Sequence, residues 1–289
     1  SEITLACATL SVVCVCTGLL GLYVCKVACA WPAFVRDARD WDSCALLPTA
    51  SMALMSISAA VSKTGILGES IAPVIWVCAV GLHIVLTGLV LRHAVKLDMS
   101  LYIPSYMVGF IGFAMASSSG NSVGVTRYSP LFFWIALSST CVIGPAAFYR
   151  IHLSGQEVLE EHQPLYAIFA APAALLLVSW ISIGGDISHT LTHVLFFLEV
   201  CGICLVLARV PRMLRAPGFS PSVAAFTFPA DLAARALTEY VALFVSDGDY
   251  LFPGVGWGIL ALACACTGIV GGVLFSYLRA AREALSGHA

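Results

Sequence analysis

Asp231, Arg235 and Glu239 stand four residues apart in an otherwise apolar stretch. On a helix that spacing puts all three on one face. A charge at mid-bilayer costs roughly 2.5–3.5 kcal/mol on insertion scales, so such groups pair with one another or face water. Facing water, Arg235 would draw anions in and the two acids would tune the path. Paired, the three form an ion-pair ladder that holds their helix to a neighbour. The spacing allows both. A second cluster, Asp186, His189 and His193, occurs in GGDISHTLTH. His-x-x-x-His can put two zinc ligands on one helical face, with Asp186 as a third. Nothing else in the chain supports a metal, and Asp186 or Ser188 reads more simply as a helix cap. Cys201-Gly-Ile-Cys204 has redox spacing but lies mid-helix. It reads as packing, as do Cys14, Cys16, Cys78, Cys141, Cys264 and Cys266. His83 and Glu199, each isolated in an apolar run, read as interhelical hydrogen-bonding groups.

The elements that must carry these residues follow from composition. Of the 289 residues, 60% are hydrophobic and only 10% charged, and the mean hydropathy is +0.95. Soluble domains carry about 25% charged residues. The chain therefore reads as an all-α polytopic membrane protein. Nine apolar runs are long enough to span a bilayer: 3–30, 44–62, 70–91, 100–118, 129–149, 165–184, 187–208, 222–245 and 253–278. They fill the chain and predict one membrane domain over 1–289. The basic and aromatic residues form no interleaved patch, which excludes a nucleic-acid partner. The first run is too long, and lacks the basic leader, for a signal peptide.

Eleven of the fourteen lysines and arginines fall in alternate loops, after the first, third, fifth, seventh and ninth runs. These are Lys26, Arg36, Arg39, Arg92, Lys96, Arg150, Arg209, Arg212, Arg215, Arg279 and Arg282. The positive-inside rule places those loops and the C-terminus in the cytoplasm. Four of the outward-running segments each carry one proline near the start: Pro48, Pro104, Pro172 and Pro229. A proline removes a backbone donor and bends a helix. In a membrane such a bend is tolerated where protein or a water-filled cavity covers it. The recurrence at a two-helix period predicts repeated hairpins, over about 44–91, 100–149, 165–208 and 222–278, preceded by an unpaired helix 3–30. An outward partner for that unpaired helix is expected upstream of Ser1.

The stretch SPSVAAFTFPADLAARALTEY resembles the most recognisable segment of the tellurite-resistance/dicarboxylate transporter family, which includes the plant slow-type anion channels. That segment reads approximately W-A-[FY]-[ST]-F-[PG], and Ala225, Phe226, Thr227, Phe228 and Pro229 match it. The family's tryptophan is replaced by Val223 or Ala224. YAIFAAPAALLLVSWISIGG and LYIPSYMVGF resemble its seventh and fifth helices, and the likeness runs over nearly the whole chain. The resemblance implies ten helices in five hairpins around a quasi-fivefold pore, of which nine are present, and assembly as a homotrimer. It implies small inorganic or carboxylate anions as partners, no cofactor, and proline kinks that widen the pore. It also implies that Phe228 plugs the pore as a gate; without the resemblance Phe228 reads as a packing aromatic. Candidate pore liners are Thr49, Ser51, Ser105 and Ser179, for which helix packing is an equally good reading.

The function expected is an anion channel or transporter of the plasma (cell inner) membrane. The alternative on the same fold is a proton-coupled C4-dicarboxylate carrier or a tellurite/sulfite exporter, with Asp231 as the proton carrier. A retinal protein is excluded because its last helix needs a lysine, and the lysines here are Lys26, Lys63 and Lys96. A membrane enzyme is the distant alternative, since no catalytic motif and no clustered metal set is legible.

Overall fold

The computed structural model describes residues 14, 17–18, 20–64, 70–95, 104–149, 160–184, 188–213, 225–246 and 253–286. Among these every regular element is helical. The helices are α1 (Leu20–Cys29), α2 (Trp31–Arg39), α3 (Trp41–Leu46), α4 (Pro48–Thr64), α5 (Ile71–Ala94), α6 (Tyr106–Ser122) and α7 (Ser129–Phe148). A 3₁₀ segment (Glu160–Ala170) then leads into α8 (Ala171–Ile183), followed by α9 (His189–Met213), α10 (Thr227–Ser246) and α11 (Pro253–Ser286). The protein is an all-α polytopic membrane protein. Among the described residues, six helices are long and apolar enough to cross a bilayer. Two of the other predicted spans are present as helices. α6 has 17 residues, roughly 26 Å at 1.5 Å per residue, and α10 carries Asp231, Arg235 and Glu239. Half of the run 3–30 lies outside the described residues, as do Lys96, Arg150, Asp186, Arg215, Val223 and Ala224.

The chain divides into two compact units, Ser1–Arg150 and Ile151–Ala289. In the first, α4 packs against α5 and α6, and α6 against α7. In the second, α8 packs against α9 and α10, and α10 against α11. Half of the α4 span and 67% of the span ending α8 are buried, against 39%, 17%, 33% and 22% for α5, α7, α9 and α11. The proline-led helices are thus the inner ones. The return helices turn residues such as Val77, Val85, Trp134, Val142, Phe197 and Phe275 outward, as suits a surface bathed in lipid chains rather than water.

The four prolines sit at helix starts, not in helix interiors. Pro48 is the first residue of α4, directly after α3 and Leu47. Pro104 lies in the turn before α6. Pro172 is the second residue of α8, at the junction with the 3₁₀ segment. Pro229 is the third residue of α10. First-turn amides have no intrahelical partner, so a proline there loses little and its fixed φ suits the helix. At Pro48, Pro172 and Pro229 the proline thus stands where one helical piece gives way to the next, and the long inner helix keeps its own hydrogen bonds.

The cysteines correct the packing reading in part. Cys266 and Cys44 are buried, but Cys14, Cys78, Cys141 and Cys264 are exposed on their helices; Cys16 lies outside the described residues. Toward lipid a small apolar thiol is as acceptable as in a core, and composition does not separate the two.

α5 and α6 approach closely where Gly112 faces His83 and where Gly120 faces Trp76. A Cβ on Gly112 would collide with Cε1 of His83. On Gly109, one turn earlier, a Cβ would meet Thr87 Oγ1 at 3.5 Å and Pro48 Cγ at 3.6 Å, ordinary contact distances. Gly112→Ala is expected to cost about 1–3 kcal/mol through overpacking and to lower the thermal midpoint in detergent. Gly109→Ala should leave that midpoint nearly unchanged. Equal midpoints for the two variants would contradict the packing described.

Candidate pore site

α10 carries Phe228 and Pro229 together with the charged set Asp231, Arg235 and Glu239. Its first turn follows a short 3₁₀ turn at 225–226, and the two phenylalanines on either side of Thr227 have different surroundings. Phe226 is buried in a cluster with Tyr166, Ala167 and Val273, with Phe169 and Ile269 packed against it. Phe228 is only half-buried. Pro229 and Ala230 are buried behind it and line an apolar cavity of about 60 Å³, together with Phe226, Ala233, Cys266 and Ile269. Phe226 is thus anchored by its neighbours on three elements, while Phe228 sits on the less covered side of the same turn.

The three charges of α10 divide. Arg235 Nε donates to Glu239 Oε1 at 2.7 Å, with the two side chains 39% and 28% exposed. Asp231 is exposed one turn before and interacts with Arg235 through charge; no Asp231–Arg235 ion pair is formed. The closed pair is thus an intrahelical one on α10, and among the described residues no ion pair joins these charges to a neighbouring helix. An exposed i,i+4 pair contributes little to stability, about 0.3–0.5 kcal/mol.

The hydroxyl candidates also divide. Thr49 Oγ1 donates to the Leu46 carbonyl at 2.7 Å, across the α3–α4 break. Ser51 Oγ lies 2.7 Å from the Pro48 carbonyl and 2.8 Å from His83 Nδ1. Ser105 and Ser179 are fully buried, and among the described residues their hydroxyls have no hydrogen-bond partner. Such hydroxyls are rare in a finished interior. Thr49 and Ser51 therefore serve the backbone at the break, and Ser105 and Ser179 are the two whose polar capacity is unused.

Of the two isolated ionisable groups, His83 makes the interhelical bonds read from the sequence. Its Nε2 lies 2.8 Å from the Gly109 carbonyl on α6, its Nδ1 reaches Ser51 on α4, and its ring meets Phe113 edge-on. Thr87 donates to the same Gly109 carbonyl at 3.0 Å. Glu199 is fully buried on α9 and lies against the backbone of Ala174 on α8, an interhelical approach in which neither carboxyl oxygen reaches full hydrogen-bond geometry among the described residues. The histidines of the second cluster are occupied otherwise. His193 Nδ1 lies 2.8 Å from the Tyr240 hydroxyl, its ring stacks on Phe244, and His189 packs against Phe244 as well. Asp186 lies outside the described residues, and among those described no group of three His, Cys, Asp or Glu side chains gathers. Missed in the sequence were the Trp76 indole, which donates to Ala116 O and Ser119 Oγ of α6, and the His193–Tyr240 contact. The small-residue run ASSSG of α6 was the available signal, because small residues admit close helix neighbours.

Inner helices that start at prolines, half-covered aromatic and charged residues on one of them, and lipid-compatible outer helices are features that a membrane transport protein would need. The voltage-dependent anion channel family model matches residues 2–277, and the chain belongs to that family. It is an integral membrane protein and an anion channel or transporter, in a family of channels and transporters rather than enzymes. The resemblance read from the proline-centred segments is thereby met. No curated protein matches the chain.

Glu199 yields a stability prediction independent of transport. A buried carboxyl held only by a loose approach to the Ala174 backbone costs about 1–3 kcal/mol, and leucine has a similar volume without that cost. Glu199→Leu is expected to raise the thermal midpoint by a few degrees; a fall would show that the carboxyl holds a stabilising partner.

Proposed function

We propose that this protein is an anion channel in which small anions pass along the proline-led helices and Phe228 closes the path. The observation that carries this reading is the contrast between the two phenylalanines of one turn. Phe226 is locked in a core cluster, whereas Phe228 is half-buried and free of that cluster. A phenyl ring in such a place blocks ions by excluding water and opens by a rotamer change. The prolines place a break at the start of each inner helix, so the path has room at that level without loss of helix hydrogen bonds above it. Arg235 supplies a positive charge softened by Glu239. That suits an anion path, because an ion held weakly can leave. In the unit that carries Phe228, Ser179 is the hydroxyl available to such a path. The proposal extends to a homotrimer in the plasma (cell inner) membrane with its C-terminus in the cytoplasm, to the four hairpins as parts of one membrane domain, and to small inorganic or carboxylate anions as the species carried.

A second reading has its own observation. Asp231 is exposed and stands outside the Arg235–Glu239 ion pair, so it is available to carry a proton. That favours a proton-coupled C4-dicarboxylate carrier, or a tellurite/sulfite exporter, on the same fold. Substrate-dependent current that persists without a pH gradient counts against it.

In the full-length protein, Phe228→Ala is expected to raise anion conductance on the order of tenfold, equivalent to about 1.4 kcal/mol of barrier. Unchanged current in planar bilayers would sink the gate. Arg235→Gln is expected to lower the anion-over-cation permeability ratio measured from reversal potentials, with only a small change in thermal midpoint. An unmoved ratio would leave the Arg235–Glu239 pair a structural role alone.

A further inference from the structure

The contacts around His83 need more hydrogens than a neutral ring supplies. Three contacts form a chain: Pro48 O to Ser51 Oγ at 2.7 Å, Ser51 Oγ to His83 Nδ1 at 2.8 Å, and His83 Nε2 to Gly109 O at 2.8 Å. The carbonyls at both ends only accept. A neutral imidazole brings one N–H and the serine one O–H, so two hydrogens serve three contacts. Nε2 faces a carbonyl and must carry the ring hydrogen. Nδ1 then accepts from Ser51, and the contact to Pro48 O is left without a hydrogen. A proton added at Nδ1 fills the chain: Nδ1–H donates to Ser51 Oγ, and the Ser51 hydroxyl turns to the Pro48 carbonyl. We propose that His83 is a proton-binding site whose occupancy decides whether the Ser51 hydroxyl holds the ring or caps the carbonyl at the α4 break.

The site is built, not incidental. His83 and Ser51 are fully buried, and Gly112 leaves the space that the ring fills. The switch also joins three helices, because the chain runs from α4 through α5 to α6. The elements packed against α5 contribute few charges. α4 carries Lys63, twelve residues beyond Ser51 and roughly 18 Å along the helix. α6 carries Tyr106, one turn before Gly109, and α3 carries Asp42 and Cys44. α2, with Arg36, Asp37 and Arg39, meets α5 at His93, ten residues or roughly 15 Å from His83. Among the described residues no carboxylate is hydrogen-bonded to the ring, so the charge of the protonated form rests on the Ser51 hydroxyl and the backbone carbonyls.

The test needs no transport measurement, so it stands or falls apart from the channel reading. The full-length protein is labelled with ¹⁵N-histidine in lipid nanodiscs and titrated from about pH 8 to about pH 3.5, a range that brackets histidine protonation. His83→Gln assigns the signal by its loss. The expected result is an Nε2–H tautomer at high pH that gains a proton at Nδ1 on acidification. Hydrogen bonds to a charged ring are the stronger ones, so Ser51→Ala should move the midpoint to lower pH. Should His83→Gln fail to fold, the signal displaced by Ser51→Ala identifies the ring by itself. An Nδ1–H tautomer at high pH, a ring that stays in one state across the range, or a midpoint unmoved by Ser51→Ala would overturn the proposal.

Discussion

Within a bilayer no water is at hand to satisfy a backbone group, so every break in a helix must be covered by protein or must line a cavity. The rest of the structure answers to that constraint. Each inner helix has a proline at its start; Pro48, Pro172 and Pro229 sit in the first turn, where a missing N–H is least felt, and Pro104 in the turn just before α6. At the α3–α4 break two hydroxyls supply the cover. Thr49 returns to Leu46 and Ser51 reaches Pro48, and His83 ties that turn to α6. At the start of α10 the cover is apolar: Phe226 and its cluster close one side, and a small cavity lies behind Pro229 and Ala230.

The two units meet the same constraint with different chemistry. In the first, the return helix α5 reaches across with polar groups: His83 and Thr87 to Gly109, and Trp76 to Ala116 and Ser119. In the second, α9 packs by close approach. A Cβ on Gly202 would lie 3.2 Å from the backbone of Phe169 and Ala170, and an aromatic group of His193, Phe196, Tyr240 and Phe244 joins α9 to α10. The gate candidate lies in the unit where an apolar cluster lines the break.

Much of this was legible from residue order. Apolar runs and sparse charge specify an all-helical membrane protein, and the proline-centred segments specify the family. Local signals do not reach further. Ser51 and His83 are 32 residues apart, and His83 and Gly109 are 26 apart, so their contact depends on how three helices pack. An apolar face reads the same toward lipid as toward a core, which is why the cysteines read as buried while most of those described are not. The i,i+4 spacing of Asp231, Arg235 and Glu239 put them on one face but left open which pair closes; rotamers and exposure decided for Arg235 and Glu239. Phe226 and Phe228 are one residue type two positions apart, and only packing distinguishes them.

The central claim is that the half-buried side of the first turn of α10 faces the path of the ion. It is tested most directly by placing a thiol there. In liposomes holding the Phe228→Cys protein, a small anionic methanethiosulfonate should reach residue 228 and, by leaving a fixed negative charge in the path, reduce anion efflux. The parent protein, treated alike, should keep its efflux. Efflux that is unchanged after the new thiol has been shown to react would contradict the account, because Phe228 would then stand outside the path.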